Sequence, residues 1–103
     1  MVSLNFFISN QSLDFPTAEI TMEINKEKFF NKKIITGTQH NWESIILENV
    51  TLGSHTLVVE EIQTNKTFSE VLDVSSELWI IVTFHGPKTG LKIDIRRNPV
   101  AFM

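Results

Sequence analysis

Apolar side chains recur at every second position through most of this chain, and that period restricts its fold more than any other feature. Ala18, Ile20, Met22 and Ile24 alternate with Glu19, Thr21, Glu23 and Asn25. Successive side chains of an extended backbone point to opposite faces, so one face of this segment meets a core and the other meets water. Val2, Leu4, Phe6 and Ile8 alternate in the same way with Ser3, Asn5, Phe7 and Ser9. Further strands are predicted over residues 28–35, 42–50, 55–60, 67–74, 78–84 and 91–96. Polar or glycine-containing turns separate them at 25–27, 36–41, 52–54, 63–66 and 86–90. No segment holds a 3.6-residue period over three turns, and residues 75–77 leave room for one helical turn at most. About seven to eight short strands at regular spacing predict an all-β fold. The expected form is a two-sheet antiparallel β-sandwich, immunoglobulin-like or transthyretin-like, forming a single domain over residues 1–103.

Particular positions carry sharper expectations. In residues 78–84, Leu78, Ile80, Val82 and Phe84 share one face, and Trp79 and Ile81 share the other. A strand apolar on both faces belongs in the middle of its sheet, and Trp79 is expected in the core. Ile20, Met22, Ile24, Leu57, Val59, Ile80 and Val82 are expected to be buried. Glu60 and Glu61 point to opposite faces of one strand, so they do not act as a pair, and strand carboxylates are expected to be solvated. Gly53 is expected at a turn with positive φ, where a Cβ would clash.

Composition excludes several roles. The net charge is −3, and no cluster of Lys and Arg exceeds the pairs Lys32-Lys33 and Arg96-Arg97. A phosphate-tracking surface needs clustered positive charge, so no nucleic-acid partner is expected. The chain has no cysteine, hence no disulfide and no thiolate metal site, which suits a reducing compartment. No apolar run is long enough to span a bilayer. The opening stretch is broken by Ser3 and Asn5 and lacks a basic region, unlike a signal peptide. These features predict a soluble, cytoplasmic protein without a membrane contact. Three Asn-x-Ser/Thr sequons, at Asn10, Asn49 and Asn65, are what a chain rich in those residues produces by chance.

The stretch Leu52-Gly53-Ser54-His55-Thr56-Leu57-Val58-Val59 follows one apolar strand and precedes a polar turn and another strand. It resembles small bacterial β-sandwich modules of the PEGA and transthyretin-like (carboxypeptidase regulatory-like) type, over roughly residues 19–84. In such modules the glycine sets a tight turn and the alternating residues enter the core. The chain lacks the four-residue PEGA motif and has extra strands at both ends. The resemblance implies a non-catalytic spacer, binding unit or interaction domain.

Tests for chemistry point the same way. No two of His40, His55 and His85 are spaced as a zinc pair, and His55 is expected to be structural. There is no calcium loop, nucleophile elbow or glycine-rich phosphate loop. No catalytic residue, metal or cofactor is therefore expected. Two candidate surfaces remain. The segment 36–42 places Gln39 and His40 beside Trp42, hydrogen-bonding groups next to an aromatic platform, as suits a sugar or small ligand. Phe7 falls on the off-core phase of its strand. The adjacent Phe29 and Phe30 must point apart unless their strand is covered on both sides or bulged. Exposed rings of this kind predict a protein partner or a homodimer. The function expected is a non-catalytic interaction or accessory domain, with carbohydrate or small-ligand binding by the 36–42 loop as the alternative.

Overall fold

Eight strands carry the alternation: β1 (Val2–Asn10), β2 (Thr17–Ile24), β3 (Glu27–Ile35), β4 (Glu43–Val50), β5 (Gly53–Glu61), β6 (Lys66–Val74), β7 (Leu78–Phe84) and β8 (Leu91–Arg96). The computed structural model describes residues 1–12, 17–35, 42–86 and 90–98. The strands form two four-stranded sheets, ordered β4-β1-β7-β8 (sheet A) and β3-β2-β5-β6 (sheet B). Hairpins join β2 to β3, β5 to β6 and β7 to β8, and every other connection crosses between the sheets. Among the described residues there is no helix, so none is long and apolar enough to cross a membrane. Ser75 and Ser76 form a bend, not a helical turn.

The two-sheet sandwich is as the alternation predicts, with β7 in the interior of its sheet. One pairing departs from the antiparallel expectation. β1 runs parallel to β7, from Leu4↔Leu78 to Asn10↔Phe84. Period-two patterning carries no information about strand direction, so it is silent on this point. The core lies between the sheets. Leu4, Phe6 and Ile8 of β1 and Leu78, Ile80, Val82 and Phe84 of β7 face Ile20 and Met22 of β2 and Leu57 and Val59 of β5, all buried. Ile24, beside the β2–β3 turn, is only half-buried. Trp79 is not in this core. It alternates out of phase with the buried residues of β7 and stands half-exposed on the outer face of sheet A.

Polar groups fix the corners. Asn25 and Lys26 (φ 52° and 70°) make the two-residue β2–β3 turn, both in the left-handed region that such a hairpin requires. Asn25 Oδ1 accepts from Thr56 N at 2.9 Å, and Asn25 N donates to Thr56 O at 2.9 Å. Asn25 Nδ2 therefore points at His55 Nδ1, 2.8 Å away. An amide nitrogen only donates, so Nδ1 accepts and Nε2 carries the proton. That proton goes to Thr51 O at 2.8 Å. His55 thus braces the crossing from β4 to β5, where Gly53 adopts φ +122°. A Cβ on Gly53 would meet nothing within 4 Å. The expected clash is absent, and the glycine is required by backbone conformation alone.

Glu61 departs most from expectation. It is fully buried, not solvated. Its Oε2 accepts from Glu19 N at 2.7 Å, and its Oε1 accepts from Thr64 N at 2.7 Å and Thr64 Oγ1 at 2.9 Å. One carboxylate closes the β5–β6 turn and holds the start of β2. Charge-assisted bonds of this kind offset the cost of removing the anion from water. Asn10, 1% exposed, donates from Nδ2 to Ile34 O at 3.2 Å and so ties sheet A to sheet B. Asn49 and Asn65 occupy left-handed positions (φ 60° and 56°). All three sequon asparagines thus have structural roles in the fold. At the open side of the sandwich, Lys32 of β3 and Glu43 of β4 pair at 2.9 Å. Both are exposed, so the pair adds little stability, but it places charge on two sheet edges.

Two outcomes test this account. Gly53→Ala lowers stability by about 1–3 kcal/mol through backbone strain alone, and an unchanged urea midpoint would contradict it. Glu61→Gln turns an amide NH₂ toward a backbone N–H and costs about 1–3 kcal/mol in the same measurement. A neutral result would mean that the carboxylate does not hold the turn.

Candidate functional site

The outward side chains of the two sheets differ in kind. Sheet B presents Glu19, Thr21 and Glu23 from β2, Thr56, Val58 and Glu60 from β5, and Thr67, Ser69 and Val71 from β6. β3 adds Asn31, Lys33 and Ile35 to the same face, which is mostly polar and free of aromatic rings but carries Val58, Val71 and Ile35, the last two each more than 60% exposed. Sheet A presents Ile46 from β4, Phe7 from β1, and Trp79 and Ile81 from β7, bordered by Lys92, Asp94 and Arg96 of β8. Phe7, Trp79 and Ile81 are half-buried, and Ile46 is 58% exposed. The register brings them into rows: Ile46, Asn5, Trp79 and Arg96 are successive neighbours, as are Ser44, Phe7, Ile81 and Asp94. The doubly apolar pattern of β7 therefore has two causes. One face fills the core, and the other forms the middle of an apolar stripe on the surface.

At one end of this stripe lies an open depression of about 310 Å³, lined by Trp42, Ile81, Thr83, His85, Lys92, Asp94 and Arg96. That volume is at the lower limit for small-ligand sites. Arg96 is held in place by Asp94, with Nε and one terminal nitrogen both 2.9 Å from Oδ2. His85 Nε2 lies 2.9 Å from Thr83 Oγ1, and Thr83 Oγ1 donates to Lys92 O at 3.4 Å. The site offers an indole, an aliphatic floor, hydrogen-bonding groups and two cations beside one anion. It can grip a side chain or a small polar ligand.

The candidates named from the sequence fall in different places. Trp42 lines the depression, whereas Gln39 and His40 lie outside the described residues. Phe7 stands on the outer face of sheet A, between Ser44 and Ile81. Phe29 and Phe30 are each half-buried, as Phe7 is. The β2–β3 register slips between Met22↔Phe30 and Glu23↔Lys28, leaving one extra residue in β3. This bulge re-aims the pair, and both rings pack against the core. Phe29 meets the buried Phe6 of the opposite sheet, with centroids 5.0 Å apart. His55 and His85 belong to different sheets and have separate partners. Among the described residues no group of three or more His, Asp or Glu gathers as a metal site would require.

Sequence reasoning missed Trp79, Ile81, Lys92, Asp94 and Arg96. The signal was present in the charged alternate positions of β8, but only the β7–β8 register shows that they border the apolar residues of β7. The placement of Trp79 has a direct test. Ile80→Ala, in the core, costs about 2–5 kcal/mol, and Trp79→Ala costs less despite deleting a larger side chain. The reverse order in denaturant titrations would return Trp79 to the core.

No protein-family model, no curated protein and no solved structure matches this chain.

Proposed function

We propose that this domain is a non-catalytic interaction or accessory module that binds a protein through the outer face of sheet A. The observation that carries the reading is the inequality of the two outer faces. A monomer gains nothing from gathering Phe7, Ile46, Trp79 and Ile81 in one stripe, whereas the other face carries no aromatic ring and sets Val58, Val71 and Ile35 among acids and hydroxyls. Aromatic residues bordered by charged ones are the usual composition of a protein interface. The strand order supports a transthyretin-like type of sandwich, with β1 inside one sheet and the β2–β3 and β5–β6 hairpins together in the other. The cysteine-free sequence supports a cytoplasmic setting.

A second reading has its own observation. The depression beside Trp42 combines an indole with Thr83, His85, Lys92 and Asp94, a set suited to a sugar or other small polar ligand. Tryptophan fluorescence titrated with an oligosaccharide panel separates the two, since saturable quenching lost in Trp42→Ala supports the ligand.

Ile81→Arg tests the first reading. It places a charge in the centre of the stripe without entering the core. The variant is expected to melt close to the parent and to lose proteins that the parent retains from a native lysate. Identical capture by both forms removes the outer face of sheet A as the docking surface.

A further inference from the structure

Each sheet ends in two edge strands, and the four edges are not equally guarded. β3 and β4 lie on one side of the sandwich, joined by the Lys32–Glu43 pair. Each has a register slip, and each sets a charge on its core side, Lys32 opposite Ile20 and Glu43 opposite Ile8. β6 sets Glu70 on its core side, opposite Leu57. Bulges and inward-facing charges keep an edge from taking another strand. β8 has neither device. Its register with β7 is unbroken, and its core side is Leu91, Ile93 and Ile95, each half-buried. We propose that β8 pairs edge to edge with β8 of a second copy, antiparallel about a two-fold axis normal to sheet A, with Ile93 opposite its counterpart. The contact uses the edge of sheet A and does not depend on the reading of its outer face as a docking surface.

The main chain of β8 is set for this contact. His85 N donates to Gly90 O at 2.8 Å, so these two residues form a hydrogen-bonded pair. Such pairs alternate along an antiparallel ladder. Lys92, Asp94 and Arg96 therefore turn their backbone groups to β7, and Leu91, Ile93 and Ile95 turn theirs to the open edge. With Ile93 opposite Ile93, Leu91 lies opposite Ile95, and the edge-facing residues exchange N–H···O bonds with their counterparts. Their side chains extend the apolar side of the sheet. On the outer side Lys92 falls opposite Asp94 of the second copy, twice by symmetry, at the non-hydrogen-bonded positions that bring side chains closest. Both groups are open to the contact. Lys92 has no ion-pair partner among the described residues, and Arg96 meets only Oδ2 of Asp94, leaving Oδ1. Slipping the second copy by two residues sets Lys92 on Lys92 in one direction, and Asp94 on Asp94 with Lys92 on Arg96 in the other. Like charges directly opposite are destabilising, so charge favours the register in which the strand complements itself. That self-complementarity selects a second copy over an unrelated strand.

Sedimentation of the full chain from about 1 μM to 1 mM, a range that brackets weak association, is read beside amide hydrogen exchange. The parent is expected to pass from monomer to dimer. Over the same range the amides of Ile93 and Ile95 gain protection, whereas those of Lys92 and Asp94, already bonded to β7, do not change. Lys92→Glu and Asp94→Lys are each expected to raise the dissociation constant about ten-fold or more, and the two together to recover most of that loss. Added salt weakens the parent dimer by screening the same pairs, which serves should either variant fold poorly. A parent that stays monomeric throughout overturns the second copy as occupant. A dimer in which Ile93 and Ile95 exchange as they do in the monomer overturns the edge pairing. A dimer insensitive to salt and to both charge reversals overturns the register.

Discussion

Strand β1 has both edges paired, to β4 on one side and β7 on the other, and its β7 partner lies 74 residues away at Leu4↔Leu78. Without that parallel ladder, sheet A separates into β1–β4 and β7–β8, neither of which can cover a four-stranded sheet B. The ladder is secured at both ends by polar groups. Asn5 Nδ2 donates to Leu78 O at 3.1 Å and to Glu77 Oε2 at 3.0 Å, and Gln11 N donates to Phe84 O at 2.8 Å. Between these ends, Leu4, Phe6 and Ile8 lie beside Leu78, Ile80 and Val82 with no exposure. Each fully buried side chain of this size contributes about 1.5–3 kcal/mol. The pairing therefore holds the sheet and the core together.

The same ladder shapes the surface. Because β1 and β7 are inner strands, their outward residues stand in the centre of a face and not at its margin. Phe7, Trp79 and Ile81 thus form a continuous stripe, and the edge strands β4 and β8 supply its borders. Sheet B has an equivalent arrangement of inner strands, β2 and β5, yet places Glu19, Thr21, Glu23, Thr56 and Glu60 around a single Val58 there. The architecture permits either choice, so the difference belongs to the sequence and to what each face meets.

Much of the fold was legible because period two is a local property. The positions of all eight strands and most of the core follow from alternation. What alternation leaves out is partnership. It does not say that β1 lies against β7, nor in which direction. It cannot locate the bulge at Phe29 and Phe30, where one extra residue in β3 breaks the phase and both half-buried rings pack against the core. It misjudged Glu61 because the donors that make burial tolerable, Glu19 N and Thr64, come from another strand and from a turn. It misplaced Trp79 because a strand apolar on both faces need not have both covered: the core covers one, and Trp79 stands half-exposed on the other. Trp42 was found from residue type alone, whereas the β8 charges needed the register.

The order in which the strands are made has a consequence for a cell. All four strands of sheet B lie between Thr17 and Val74, whereas β1 is synthesised first and waits for β7. At roughly 5–20 residues per second, 74 residues leave β1 without that partner for about 4–15 s. During that interval Leu4-Asn5-Phe6-Phe7-Ile8 is an apolar strand with an unpaired edge, the kind of segment that self-associates. Nascent chains arrested before Phe84 should keep β1 open to protease, and chains arrested well after it should protect it. The wait makes this short stretch the point at which translation speed and chaperone supply bear on the yield of folded protein.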